Sequence, residues 1–253
     1  MQSRSCHYFV NALGKLSAGT SNITEHWLDD SATAASQAAT CVAELLRHGI
    51  AKRNVAGLAV SGGRSPIPFF DQLSRHLLPW EKVSITLVDE RWVPTDSEDS
   101  NEHLVRQHLM RNEAMAAQFV PLKTTAASPQ FALAERETAI NKMPWPLDVI
   151  VLGMGEDGHT ASLFPDAEHL CAALDVSRPS LLAAIDPPHA DHLRISLTLR
   201  ALLQTRCVML LIQNTRKREI YERAREGVEV FELPIAGVLN QSKVNVEVFW
   251  SPY

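Results

Sequence analysis

The stretch "VLGMGEDGHTASLFP", residues 151–165, sets His159 on a turn rich in glycine and acid, directly after an apolar run. Histidine changes charge near neutral pH. An imidazole on a polar loop can therefore take a proton from water and return one to a leaving group. Asp157 lies two residues before His159 and Glu156 three, and either carboxylate can orient the ring. A second apolar run ends in Ser61, Gly62, Gly63 and Arg64, "SGGR". Paired glycines between a strand and a helix let backbone N–H groups turn toward an anion. "DERW" places Asp89, Glu90 and Arg91 together, "LRIS" holds Arg194, and "TRKR" holds Arg216, Lys217 and Arg218. Cations in the first turn of a helix oppose its dipole, and an anion among them would explain their placement.

Each feature also has a purely structural explanation. "SGGR" fits an ordinary strand-to-helix turn, and Asp89 and Arg91 fit a surface ion pair. A solvated helix face is the expected outcome for two of the three cations in "TRKR". Trp92 reads as packing at the rim, and the other histidines sit in helical or loop contexts without supporting neighbours.

Several chemistries find no pattern. His159 has no HxH or HExxH spacing around it, and Cys6, Cys41, Cys171 and Cys207 form no CxxC, so no metal site is expected. Free thiols in a reducing cytoplasm are the expected state of those cysteines. Ser61 lacks the GxSxG setting of a hydrolase nucleophile, and "SGGR" lacks the spacing of a phosphate-binding P-loop. "GMGEDG" matches GxGxxG in letters. Pro165 and the absence of an acidic strand end about 20 residues on argue against a dinucleotide site.

The elements that must position these loops follow from periodicity. Buried strands are expected at 55–60, 83–88, 147–154 and 207–213, with period-2 strands at 193–199 and 244–250. Helices are expected at 29–49 (ending before Gly49), 65–78 with Pro66 in the first turn, 100–110 with Ser100 as N-cap, 129–143 and 215–227. Strand, polar loop and helix alternate, which argues for a parallel sheet with helices on both faces. Ligands of such sheets bind beyond the carboxyl ends of the strands. "SGGR", "DERW", "GMGEDGH" and "QNTRK" all fall there and are expected to line one rim.

A 253-residue chain that is 45% hydrophobic can bury a sizeable core. Its net charge of −5 is a poor basis for general binding to nucleic acid or to an anionic membrane. The first residues lack an apolar stretch of signal-peptide length, and no run is long enough to span a bilayer. A soluble cytoplasmic protein, monomeric or weakly homo-oligomeric, is expected.

Taken together these residues resemble the 6-phosphogluconolactonase family. The matching segments are "LAVSGGRSPIPFF", "LVDERWVP" with "SN" downstream, "LDVIVLGMGEDGHTASLFP", "LRISLTLRAL" and "KREI", in the family's order. The resemblance implies a single α/β domain over residues 26–253, with residues 1–25 as an N-terminal segment to which no role is assigned. The implied fold is a mostly parallel Rossmann-like sheet flanked by helices, with a small antiparallel portion near the C-terminal half. It is similar to that of sugar-phosphate isomerases and deaminases. The implied activity is hydrolysis of 6-phospho-D-glucono-1,5-lactone to 6-phosphogluconate, the second step of the oxidative pentose phosphate pathway, without metal or organic cofactor. By the matched motifs His159 is the general base, and Asp157 orients it or holds the loop. Ser61, Gly62, Gly63, Arg64, Asp89, Arg91, Arg194 and Lys217 are placed around the substrate.

The chain departs from the family pattern in two places. Arg64 stands where Ser or Thr is usual, leaving Ser65 as the nearby hydroxyl, and "PPHADH" replaces a Lys-Pro pair before "LRISLT". Two other functions share the loops. Related glucosamine-6-phosphate deaminases carry a Glu five residues past the histidine, where this chain has Phe164, and tend to read "DEY" rather than "DER". A non-catalytic sugar-phosphate sensor would keep the cavity without turnover. The close at "WSPY" with no linker leads to the expectation of a free-standing polypeptide.

Overall fold

A computed structural model describes residues 22–253. In its first half the chain forms β1 (Ile23–Trp27), α1 (Ser31–Arg53), β2 (Ala56–Val60), α2 (Ile67–Leu73), β3 (Val83–Leu87), β4 (Asp89–Arg91), α3 (Asn101–His108), β5 (Gln118–Val120) and α4 (Pro129–Ile140). There follow β6 (Val149–Leu152), α5 (Leu170–Leu174), β7 (Leu182–Ile185), β8 (Arg194–Leu197), α6 (Leu199–Leu202), β9 (Cys207–Gln213), α7 (Thr215–Arg225), α8 (Ala236–Leu239) and β10 (Asn245–Ser251).

The apolar runs behave as their composition dictates. β2 and β6 are buried at every residue, and a parallel sheet covered on both faces is what buries them. Seven strands form that sheet in the order β1-β10-β9-β6-β2-β3-β5, every neighbouring pair parallel. The chain builds outward from β2 in one direction through β3 and β5, then crosses to β6, β9 and β10 on the other side. The reversal lies between β2 and β6, so the loops after these two strands diverge and leave a crevice at their carboxyl ends. Those loops are "SGGR" and "GMGEDGH". A second sheet, β4-β8-β7, is antiparallel and closes one side of the crevice.

Where the structure departs from expectation, long-range packing is the reason. α1 continues through Gly49 to Arg53, because the Asp148 carboxylate packs against Gly49; an added Cβ would lie 2.2 Å from Asp148 Oδ1. Gly49 is thus a close-approach residue inside the helix, and Asn54, with φ of 62°, ends it. α2 stops at Leu73, short of Leu78. β8 is buried at all four residues rather than on one face, since Arg194 and Ser196 face polar partners inside the fold. β10 lies inside the sheet, between β1 and β9. β1 spans the boundary drawn at residue 25.

Cys41 and Cys207 carry free thiols, whereas Cys171 is disulfide-bonded, which corrects the expectation that it is free. Cys6 lies outside the described residues. No helix among the described residues is long and apolar enough to cross a membrane.

Candidate functional site

The crevice is a cavity of about 340 Å³ at the carboxyl ends of β2 and β6. His159 stands on its wall. The loop that carries it is tied at several points. Gly155 N–H donates to the His159 carbonyl at 2.9 Å, Thr160 Oγ1 donates to the Gly153 carbonyl at 2.9 Å, and Ile235 N–H donates to the Gly158 carbonyl at 3.0 Å. Gly158 turns the chain at φ 77°, where a Cβ would run into Leu233.

The imidazole is held at one edge. His159 Nδ1 lies 2.6 Å from Asp157 Oδ1, which also accepts the His159 backbone N–H at 3.1 Å. With Nδ1 as donor, Nε2 is left with its lone pair, the form a general base requires. Burial opposes the charge of Asp157, but the hydrogen bond and positive charge offered by His159 outweigh it. The Asp157 carboxyl therefore titrates below the usual range. The hydrogen bond with His159 thus favours the ionised form of Asp157.

The adjacent wall is cationic. Arg91 and Arg194 are direct partners in the antiparallel pairing of β4 and β8. Like charges opposite one another destabilise a sheet, so an anion between them is favourable. Arg194 is only 7% exposed, and its Nε has no hydrogen-bond partner among the described residues. Burial first, and then the charge of Arg91, disfavour its charged form, against the pull of Asp89, Glu90 and Asp99. Lys217 lines the cavity from the first turn of α7, whose N-cap Asn214 accepts the Lys217 N–H at 2.9 Å. Burial lowers its ammonium below the ordinary lysine value, and Glu156 and Asp157 pull it part of the way back. Arg216 and Arg218 pair with Glu219 and Glu222 along the helix, so two of the three cations of "TRKR" do belong to a solvated face.

The "SGGR" turn is joined to the histidine loop. Ser61 N–H donates to the Val151 carbonyl at 2.9 Å, and Gly153 N–H donates to Ser61 Oγ at 3.2 Å. Ser61, Gly62 and Gly63 line the cavity together with Asp89, Arg91, Arg194 and Lys217. Arg64 does not: it is exposed and outside the lining, and Ser65 takes a place there. Asp157 sits behind His159 rather than on the wall.

Asp89 is fixed from the other side. Ser162 Oγ donates to its Oδ2 at 2.5 Å, which ties the segment after His159 to β4. Its neighbour Glu90 is fully buried and accepts the N–H groups of Arg91, Asn101 and Glu102 at 2.7–2.8 Å, and the Ser100 hydroxyl at 3.1 Å. Burial raises the Glu90 carboxyl above the usual range, against those donors. Glu90 is thus a buried acceptor for the first N–H groups of α3. It locks β4 to that helix and sets Asn101 against Gly62 on the cavity wall.

Sequence reading assigned no role to Asn101 or Glu90; the only signal was the "SN" eleven residues past Asp89. It read His189 and His192 as loop histidines without supporting neighbours. Both line a neighbouring cavity of about 500 Å³ that shares Arg91 and Arg194 with the first. This is the "PPHADH" loop, where the Lys-Pro pair is missing.

A parallel α/β sheet whose switch point holds an imidazole–carboxylate pair, glycine turns and three cations defines an enzyme acting on small anionic molecules. Within that class, the chain belongs to the family of glucosamine-6-phosphate isomerases/6-phosphogluconolactonase, whose model matches residues 29–250. It is 43% identical over 211 residues to a 6-phosphogluconolactonase of Mesorhizobium japonicum, covering 83% of this chain and 88% of that one. It is 43% identical over 230 residues to a 6-phosphogluconolactonase of Neisseria meningitidis, covering 89% of this chain and 98% of that one. A crystal structure of a 6-phosphogluconolactonase from Shewanella baltica superposes with a TM-score of 0.88 at 38% identity, covering 90% of this chain and 97% of that one.

Proposed function

We propose that this cavity binds 6-phospho-D-glucono-1,5-lactone and opens it with water to 6-phosphogluconate. The observation that carries the reading is the His159–Asp157 pair on the wall of a cavity that also presents Arg91, Arg194 and Lys217. The names of the relatives at 43% identity support it.

A δ-lactone is an activated ester and needs no covalent intermediate. His159 Nε2 takes a proton from water as the water oxygen bonds to C1. The carbonyl electron pair moves to oxygen, where backbone N–H groups of the glycine turns on the wall stabilise it. The C1–O5 bond then breaks, and the imidazolium returns its proton to O5. Atoms and charge balance without metal or organic cofactor. Arg91, Arg194 and Lys217 hold the phosphate, which lies far from C1. Its binding energy therefore serves to position the ring.

Sugar phosphates are kept inside cells by their charge, so we place the protein in the cytoplasm, as a monomer or weak homo-oligomer that engages no nucleic acid. The test of the function is lactone prepared fresh from glucose 6-phosphate, with 6-phosphogluconate followed through a coupled dehydrogenase. Acceleration above the spontaneous rate is expected, with no ammonium released from glucosamine 6-phosphate. The reverse pair of results would make the chain a deaminase.

The lowered ammonium of Lys217 gives a pH signature. Loss of its proton removes a positive charge from the phosphate site, so affinity falls as pH rises through that lowered value. The fall comes at a lower pH than an ordinary lysine at about 10.4 would give. Lys217→Arg keeps the charge and is expected to flatten the alkaline loss. Calorimetric titration with 6-phosphogluconate between about pH 7 and about pH 10 reads this. The same pH dependence in both proteins would remove Lys217 from the phosphate site.

A further inference from the structure

We infer that Phe164 is a positioning residue for His159, and that its ring stabilises the imidazolium formed when His159 takes the proton from water. This deepens the lactone-opening reading and rests on it. One hydrogen bond to Asp157 fixes only one vector of the imidazole; rotation about that vector must be stopped by packing. On one side there is no room: a Cβ on Gly155 would lie 2.2 Å from His159 Nδ1. On another, the Phe164 ring packs on the imidazole with centroids 4.2 Å apart and planes inclined by 34°. Phe164 is half-buried and lines the same cavity.

The same ring has a second cationic neighbour. Arg194 Cζ lies 6.0 Å from its centroid, at the outer limit of a cation–π contact. Phe164 is therefore a neighbour of both the proposed base and the buried guanidinium. When His159 is neutral the ring offers it only packing. When His159 becomes a cation the electron-rich face attracts it, and the ring stands beside both positive charges. An interaction that is stronger in the charged state than in the resting one lowers the barrier instead of tightening substrate binding. A purely structural Phe164 would have no such effect: its loss would appear as lower thermal stability, with no selective fall in kcat.

The test compares Phe164→Leu and Phe164→Tyr in the full chain. Leu keeps apolar bulk without a π face, and Tyr keeps the π face. Phe164→Leu is expected to lower kcat about tenfold with KM changed by less than about twofold, and Phe164→Tyr to stay within about twofold of wild type, in line with a desolvated cation–π contact. The imidazole C–H resonances of His159, assigned by loss in His159→Ala, are expected to show an upfield ring-current shift in wild type that disappears in Phe164→Leu. A Leu variant with wild-type kcat, a loss carried by KM, or wild-type protein without the ring-current shift would each overturn the inference. Wild-type protein that shows the shift but opens no lactone would overturn the functional reading itself, and this inference with it.

Discussion

Replacing His159 by alanine is expected to leave a folded protein whose lactone-opening rate has fallen by about a hundredfold to ten-thousandfold, the range supplied by a positioned general base. The fold survives because little of it depends on the imidazole. The side chain is 31% exposed, and the Asp157 carboxyl that it meets is 50% exposed. The loop is held instead by backbone bonds and by Thr160. Circular dichroism and thermal unfolding should therefore match wild type, and 6-phosphogluconate should still bind through the cationic wall. Near-full turnover in this variant would remove His159 from the chemistry, and loss of product binding would show that it holds the ligand instead.

Gly155→Ala is the second large effect, because one methyl group falls on the proposed His159–Asp157 pair itself. Its Cβ would lie 2.2 Å from His159 Nδ1, 2.3 Å from Cε1 and 2.4 Å from Asp157 Oδ1. These are side-chain atoms on an open loop, so they can move aside at small cost to stability. They cannot move aside and keep their 2.6 Å contact in place. A displacement of about an ångström in a catalytic group costs on the order of a hundredfold. We expect kcat to fall by about that factor with an unfolding temperature close to that of wild type. A stability loss without a kcat loss would mean that Gly155 serves the turn and not the pair.

The sheet was legible in the sequence because its central strands are short, mostly apolar and β-branched runs such as "VAGLAV", "VSITLV" and "CVMLLIQ", which burial in a covered parallel sheet accounts for. The site was legible because the rule that ligands sit at strand carboxyl ends gathers "SGGR", "GMGEDGH" and the start of α7 onto one rim. What escaped has a common cause. β4 and β7 are three and four residues long, too short to show a period, and they exist only because they pair across the chain with β8. Gly49 reads as a helix stop until Asp148, far along the chain, is seen packed on it. Arg64 has the charge of a phosphate ligand, but it lies one residue past the tight turn and on the outside of it. Glu90 looked like one charge among three in "DER"; its burial beneath the start of α3 follows from tertiary packing alone. Phe164 was visible in sequence only as the absence of a glutamate, and its contact with His159 needed coordinates.

The central claim is that His159 deprotonates water against a lactone carbonyl held in this cavity. The most direct measurement is the progress curve of 6-phosphogluconate formation from one batch of fresh lactone, run without protein, with wild type and with His159→Ala. Wild type alone is expected to rise clearly above the spontaneous curve. Superposition of all three curves, from folded protein that still binds 6-phosphogluconate, would contradict it and leave a sugar-phosphate sensor in its place.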